Sequence, residues 1–216
     1  TKFQYVSVVM GIFMCAIGLV GQEPSSDRPY SEQDWPFAGG DWSSSRYSAL
    51  SEISTETVGR LNGAWVTRLE GGGSSRSTPV VNDGVIYLTA GANIFALDGV
   101  TGETMWRWQP GTSESESRMV PSWQGVGLGG GLIYVGLRSA EVAALRQDTG
   151  ALVWTEPVGS IPAEHGETVT TAPMYAEGKV FVGVANGDSG GQGRIVAVDA
   201  QTGQKAWTFF IVPRPG

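Results

Sequence analysis

The residue types that most often carry chemistry are scarce here: the chain has one histidine, His165, and one cysteine, Cys15. Histidine can serve as a base or a metal ligand near neutral pH. His165, however, follows Pro162-Ala163-Glu164 and precedes Glu167, so it reads as part of a solvated polar loop ahead of a strand containing Thr170. Cys15 lies inside residues 6–20, which carry no charge, and reads as a small hydrophobe. Two further segments hold side chains of interest, Thr168-Val-Thr170-Thr-Ala-Pro173 and Gly183-Val-Ala-Asn186-Gly187-Asp188-Ser-Gly190. By type alone Thr170 is a strand residue, and Asp188 is a solvated acid in a glycine-rich loop. Lysine and arginine form no cluster and the net charge is −7, which argues against a nucleic-acid footprint.

The elements that must position these residues are repetitive. Three segments align: Ala96-Leu-Asp-Gly-Val-Thr101-Gly102-Glu-Thr-Met-Trp106, Ala144-Leu-Arg-Gln-Asp-Thr149-Gly150-Ala-Leu-Val-Trp154 and Ala197-Val-Asp-Ala-Gln-Thr202-Gly203-Gln-Lys-Ala-Trp207. Upstream of each lies a second shared segment that contains Tyr87, Tyr134 or Phe181. In the first copy Val80-Val81, Asn82-Asp83-Gly84 and residues 85–88 read as strand, tight turn and strand, since Asp-Gly favours a two-residue hairpin. Residues 94–97 and 104–108 supply a third and a fourth strand around the Thr101-Gly102 turn. Four short antiparallel strands repeating every 48 residues or so make a propeller blade. The fold class is therefore all-β, a β-propeller of four-stranded blades, with each recurring tryptophan covering the turn of the adjacent blade. No segment after Gly21 has the 3.6-residue apolar period of a helical solenoid.

Three blades within residues 67–216 are fewer than a closed ring needs, so the chain is expected to be part of a longer protein. Residues 22–66 form a lead-in segment. Residues 1–21, with Lys2 ahead of the uncharged run, are shorter than a membrane span and are expected to be a secretory signal peptide cleaved near Gly21. Cleavage would remove the only cysteine.

The lead-in segment Trp35-Pro-Phe-Ala-Gly-Gly-Asp-Trp-Ser-Ser-Ser-Arg46-Tyr47-Ser48-Ala-Leu50, with Leu61-Asn-Gly-Ala-Trp65 and Ser77-Thr-Pro79, resembles the start of pyrroloquinoline quinone (PQQ)-dependent alcohol and sugar dehydrogenases. The ALDxxTGxxxW repeats resemble the tryptophan-docking motifs of that family's eight-bladed propeller. The resemblance covers residues 34–216. It implies a periplasmic enzyme that oxidises an alcohol or aldose by hydride transfer to PQQ, assisted by Ca2+ or a lanthanide, with cytochrome c or a membrane quinone as electron acceptor. It also implies that Thr170 contacts the cofactor and that Asn186 and Gly187 approach its carboxylates. Asp188, where the family mostly has glutamate, would be a metal ligand, a carboxylate being what a hard cation requires.

Other positions depart from the family. Its first-blade glutamate is Arg76 here, which could pair a PQQ carboxylate. The family arginine that hydrogen-bonds the quinone oxygens is Gln124, a donor without charge. An adjacent-cysteine disulfide is absent from residues 111–123, which carry the run TSESES. The catalytic aspartate would lie in later blades, so no catalytic residue is expected in these 216. Arg76 and Gln124 also suit a second reading, a non-enzymatic PQQ-like propeller that acts as a scaffold in envelope protein assembly.

Overall fold

Turn residues set the frame. Asp83 and Gly84 both take positive φ, 50° and 74°, and this closes a tight hairpin between β1 (Val80–Asn82) and β2 (Val85–Ala90). The chain continues through β3 (Asn93–Asp98) and β4 (Thr104–Trp108) to complete a sheet in the order β1-β2-β3-β4. The same antiparallel order recurs in β5 (Gly127–Gly129), β6 (Leu132–Gly136), β7 (Glu141–Arg146) and β8 (Leu152–Pro157). It recurs again in β9 (Met174–Ala176), β10 (Lys179–Val184), β11 (Arg194–Asp199) and β12 (Lys205–Phe210). This computed structural model describes residues 30–111, 119–160 and 166–212. Residues 1–21 with Cys15, the TSESES run, Glu164 and His165 lie outside the described residues.

The sequence repeat has a direct spatial meaning. Strand register puts Tyr87 opposite Ala96 and Ala96 opposite Trp106, and the rows Tyr134–Ala144–Trp154 and Phe181–Ala197–Trp207 match it. The alanine keeps the middle of each row low, so the flanking rings approach to centroid distances of 6.0, 6.0 and 5.8 Å. Immediately after each alanine the register shifts by a bulge. The bulge turns the last strand toward its Thr-Gly turn. Asp98 and Asp199 hold that turn: each carboxylate accepts hydrogen bonds from two backbone amides and a threonine hydroxyl.

Blades stack through their tryptophans. The Trp106 indole N–H donates to the Gln147 carbonyl (2.9 Å), and its ring lies so close to Gly150 that a Cβ there would sit 2.6 Å from a ring carbon. Trp154 repeats this on the third sheet, donating to the Ala200 carbonyl (3.2 Å) and covering Gly203. Trp65, in the lead-in segment, does the same on the first sheet: it donates to the Gly99 carbonyl (3.1 Å) and covers Gly102. The lead-in also pairs with the edge of β1, where Trp35 and Val81 exchange backbone hydrogen bonds of 3.0 and 2.8 Å. Between the sheets lies a core of Val80, Tyr134, Val142, Val196 and similar buried side chains.

Antiparallel order fixes which loops share an end. The segment before a blade's first strand and the connection between its second and third strands lie at one end, and the Thr-Gly turns lie at the other. Arg76, Gln124 and Thr170 precede β1, β5 and β9, and Asp188 lies between β10 and β11. All four therefore face the same end.

Gly150 and Gly131 both have positive φ, 68° and 75°, but Gly131 has nothing within contact distance. Either alanine substitution costs about 1 kcal/mol from the left-handed backbone alone. In the full-length protein Gly150→Ala should cost about 1–3 kcal/mol more than Gly131→Ala, because only it collides with a docked indole. Urea-unfolding midpoints of the two variants measure the difference.

Candidate functional site

Three loops meet at the shared end. Ser122 is the junction: its amide donates to the Gly136 carbonyl (2.7 Å) and its hydroxyl to the Thr170 carbonyl (3.1 Å). Pro121 also bridges to Leu137, so the segment before β5 is tied both to its own blade and to the next. The cavity that results has a volume of about 350 Å3, and Arg76, Gln124 and Thr170 line it together with Trp123, Arg138 and Thr168. Three of the positions expected from the sequence thus share one wall. The Arg138 guanidinium carbon lies 5.1 Å from the Trp123 ring centroid and that of Arg76 lies 6.0 Å from it. No aspartate or glutamate is in the wall, and neither arginine is ion-paired among the described residues. Arg138 carried no motif in the sequence. Its only signal is position, since it sits between β6 and β7, the same connection that holds Asp188 in the next blade.

Asn186 adjoins this cavity through the wall residue Gly166, and none of Asn186, Gly187 and Asp188 is in the wall itself. Thr168 and Ala185 form an antiparallel bridge, closed by a 2.8 Å hydrogen bond from the Ala185 amide to the Thr168 carbonyl. Asn186 then enters the left-handed region (φ 92°) and its side-chain amide donates to the Gly166 carbonyl at 3.0 Å. Gly187–Ser189 form a single 3-10 turn on which Asp188 is exposed. The described residues contain no cluster of three or more His, Cys, Asp or Glu side chains. A Ca2+ ion takes six to eight oxygens, so Asp188 can be only one ligand of several.

Glu167 corrects the expectation of a solvated loop around His165. Its side chain is 4% exposed and forms a two-pronged ion pair with Arg194 of β11, with Nη1–Oε1 2.7 Å and Nη2–Oε2 2.8 Å. The Ser160 amide also donates to Oε2 (2.7 Å), and Arg194 makes two further hydrogen bonds, to the Val158 and Gln192 carbonyls. The pair clamps the segment leading to Thr170 against the strand that leaves the Asp188 loop. Hydrogen bonding from Arg194 holds the Glu167 carboxyl below its ordinary range.

Comparison with known proteins gives a consistent picture. Residues 35–216 match the family described as PQQ, the glucose/ethanol/alcohol dehydrogenase β-propeller domain. The chain is 35% identical over 207 residues to the dehydrogenase subunit of a quinone alcohol dehydrogenase from Gluconobacter oxydans, covering 88% of this chain and 26% of that protein. The crystal structure of quinohemoprotein alcohol dehydrogenase from Comamonas testosteroni superposes with a TM-score of 0.73 at 35% identity, over 83% of this chain and 27% of that one. A europium-containing methanol dehydrogenase gives 0.72 at 26% identity, over 83% and 32%. The chain spans about a quarter of the length of the curated relatives it matches.

Replacing Glu167 with glutamine would leave the Arg194 guanidinium buried without its counter-charge, at a cost of about 3–5 kcal/mol near neutral pH. A carboxylate held low stabilises fully above its unfolded pKa, about 4.3, and that contribution fades as pH falls through the lower folded value. Unfolding midpoints followed from pH 7 downward should therefore show a shallower acid dependence for Glu167→Gln than for the parent protein.

Proposed function

The chain belongs to the PQQ glucose/ethanol/alcohol dehydrogenase β-propeller family, and on that premise we propose that it holds PQQ where Arg76, Gln124 and Thr170 meet, in an exported oxidoreductase acting on the CH–OH group of an alcohol or aldose. One observation carries this reading: a cavity with two guanidinium groups against an indole and no carboxylate in its wall. Such a donor set suits a flat aromatic anion bearing several carboxylates, and PQQ is one. Bound there, the quinone supplies the hydride acceptor that amino-acid side chains lack.

The residues of this chain bind and orient. Arg76 pairs a carboxylate through its planar fork. Thr170 and Gln124 donate neutral hydrogen bonds, and Asn186 and Gly187 close the adjoining side. Asp188 offers an anionic oxygen to a Ca2+ or lanthanide ion completed by residues elsewhere. The europium-containing relative lends support to the lanthanide alternative. Relatives described as quinone-linked or as quinohemoproteins support a membrane quinone or cytochrome c as the electron acceptor. The signal-like residues 1–21 support a periplasmic location.

Full-length protein reconstituted with PQQ and Ca2+ should bleach an artificial electron acceptor when given a primary alcohol or an aldose. Absence of bleaching across a broad panel of both would overturn the proposal. Asp188→Ala should raise the Ca2+ concentration needed for half-maximal activity by at least about tenfold, since even outer-shell losses at metal sites reach that size.

A further inference from the structure

We propose that Arg138 is a cofactor-binding residue, supplying from the β6–β7 connection the guanidinium that position 124 does not have. The inference rests on the PQQ reading above and adds to it a residue that no motif marks.

Four observations converge on Arg138. Its backbone is fixed: the Arg138 amide donates to the Val120 carbonyl (2.9 Å), and the Leu137 amide beside it to the Glu141 carbonyl (2.8 Å). Its side chain nevertheless lies against Trp123 in the wall that also contains Gln124 and Thr170. Its charge is unanswered, with no acid in that wall and no ion pair among the described residues. Finally, the Arg76 guanidinium approaches the same ring, so two guanidinium groups line the cavity around one indole. Two guanidinium groups in one wall offer an anion two forked sets of donors at once.

Gln124 and Arg138 are neighbours in space because the segment before β5 is stitched to the β6–β7 connection by the Pro121–Leu137 bridge. A positive donor reaching the cavity from either position can therefore serve the same anionic oxygens. The sequence has moved the charge one loop over rather than discarded it.

The test uses full-length apoprotein titrated with PQQ, followed by quenching of tryptophan fluorescence and checked by equilibrium dialysis. Arg138→Gln should weaken PQQ binding about tenfold to a hundredfold, the range for losing a charged hydrogen bond. Because the side chain is exposed, its melting temperature should match the parent's. Adding Gln124→Arg to Arg138→Gln should restore affinity to within a few-fold of the parent. Parent-like binding by Arg138→Gln would overturn this inference and leave the PQQ reading intact. Weakening without rescue would make Arg138 a local packing residue and also overturn the exchange of positions. If the parent protein binds no PQQ, the proposed function fails and this inference fails with it.

Discussion

Each docked indole joins two things that a propeller needs at once. Its ring fills the space above a glycine that must be in the left-handed region, and its N–H satisfies a carbonyl of the same turn. Burying an aromatic of this size dominates local packing, while the single hydrogen bond fixes its rotation. A side chain at Gly102, Gly150 or Gly203 would exclude the ring, and a rotated ring would leave the carbonyl unpaired. The contact therefore permits one offset between neighbouring sheets. Because that offset is used at both sheet junctions, by Trp106 and Trp154, the loops at the opposite end of each sheet come into register as well. Arg76, Gln124 and Thr170 come from positions far apart in the chain, yet they share one wall, where the Ser122 hydroxyl ties the Thr170 carbonyl to the segment that carries Gln124.

Sheet stacking places loop ends to within a few ångströms but does not hold loops still. In the third blade that task falls to Glu167 and Arg194. A buried ion pair is weak support for stability as such, since desolvation offsets much of its attraction. It is strict about geometry, however, and here every oxygen and nitrogen of the pair has a defined partner. The pair ties the start of β11 to the segment before β9, which itself bridges the end of β10 through Thr168 and Ala185, so both ends of the Asn186–Asp188 turn are anchored. An apolar pair would pack as well but would tolerate sliding.

The fold was largely readable from the chain because its determinants are local. Asp83-Gly84, the three Thr-Gly pairs and the alternating apolar runs each specify a turn or a strand within a few residues, and the rows of aromatic, alanine and tryptophan repeat them three times. Trp65 falls outside the series because no Thr-Gly pair precedes it, although it covers a glycine of the following repeat just as Trp106 and Trp154 do. Glu167 was misread for a related reason: its neighbours are polar, and its partner Arg194 is 27 residues away on another strand. Arg138 carried no motif, only a position in the β6–β7 connection, and an arginine in a tight connection is ordinary in any sequence. Periodicity carries information about sheets, whereas a site assembled from loops of three blades depends on distances that no window along the chain contains.

That difference bears on how the departures from the family should be weighed. Position by position, Arg76 and Gln124 look like a damaged cofactor site, with an acid turned basic and a base turned neutral. Counted over the cavity rather than along the alignment, the guanidinium groups number two, Arg76 and Arg138, and both touch the same indole. An anionic ligand responds to the field within the cavity, to which charges on several loops contribute, and is indifferent to which loop supplies each charge. A binding site can therefore drift in sequence while its electrostatics are retained, provided the scaffold keeps the contributing loops at one end. Tryptophan docking is what keeps them there.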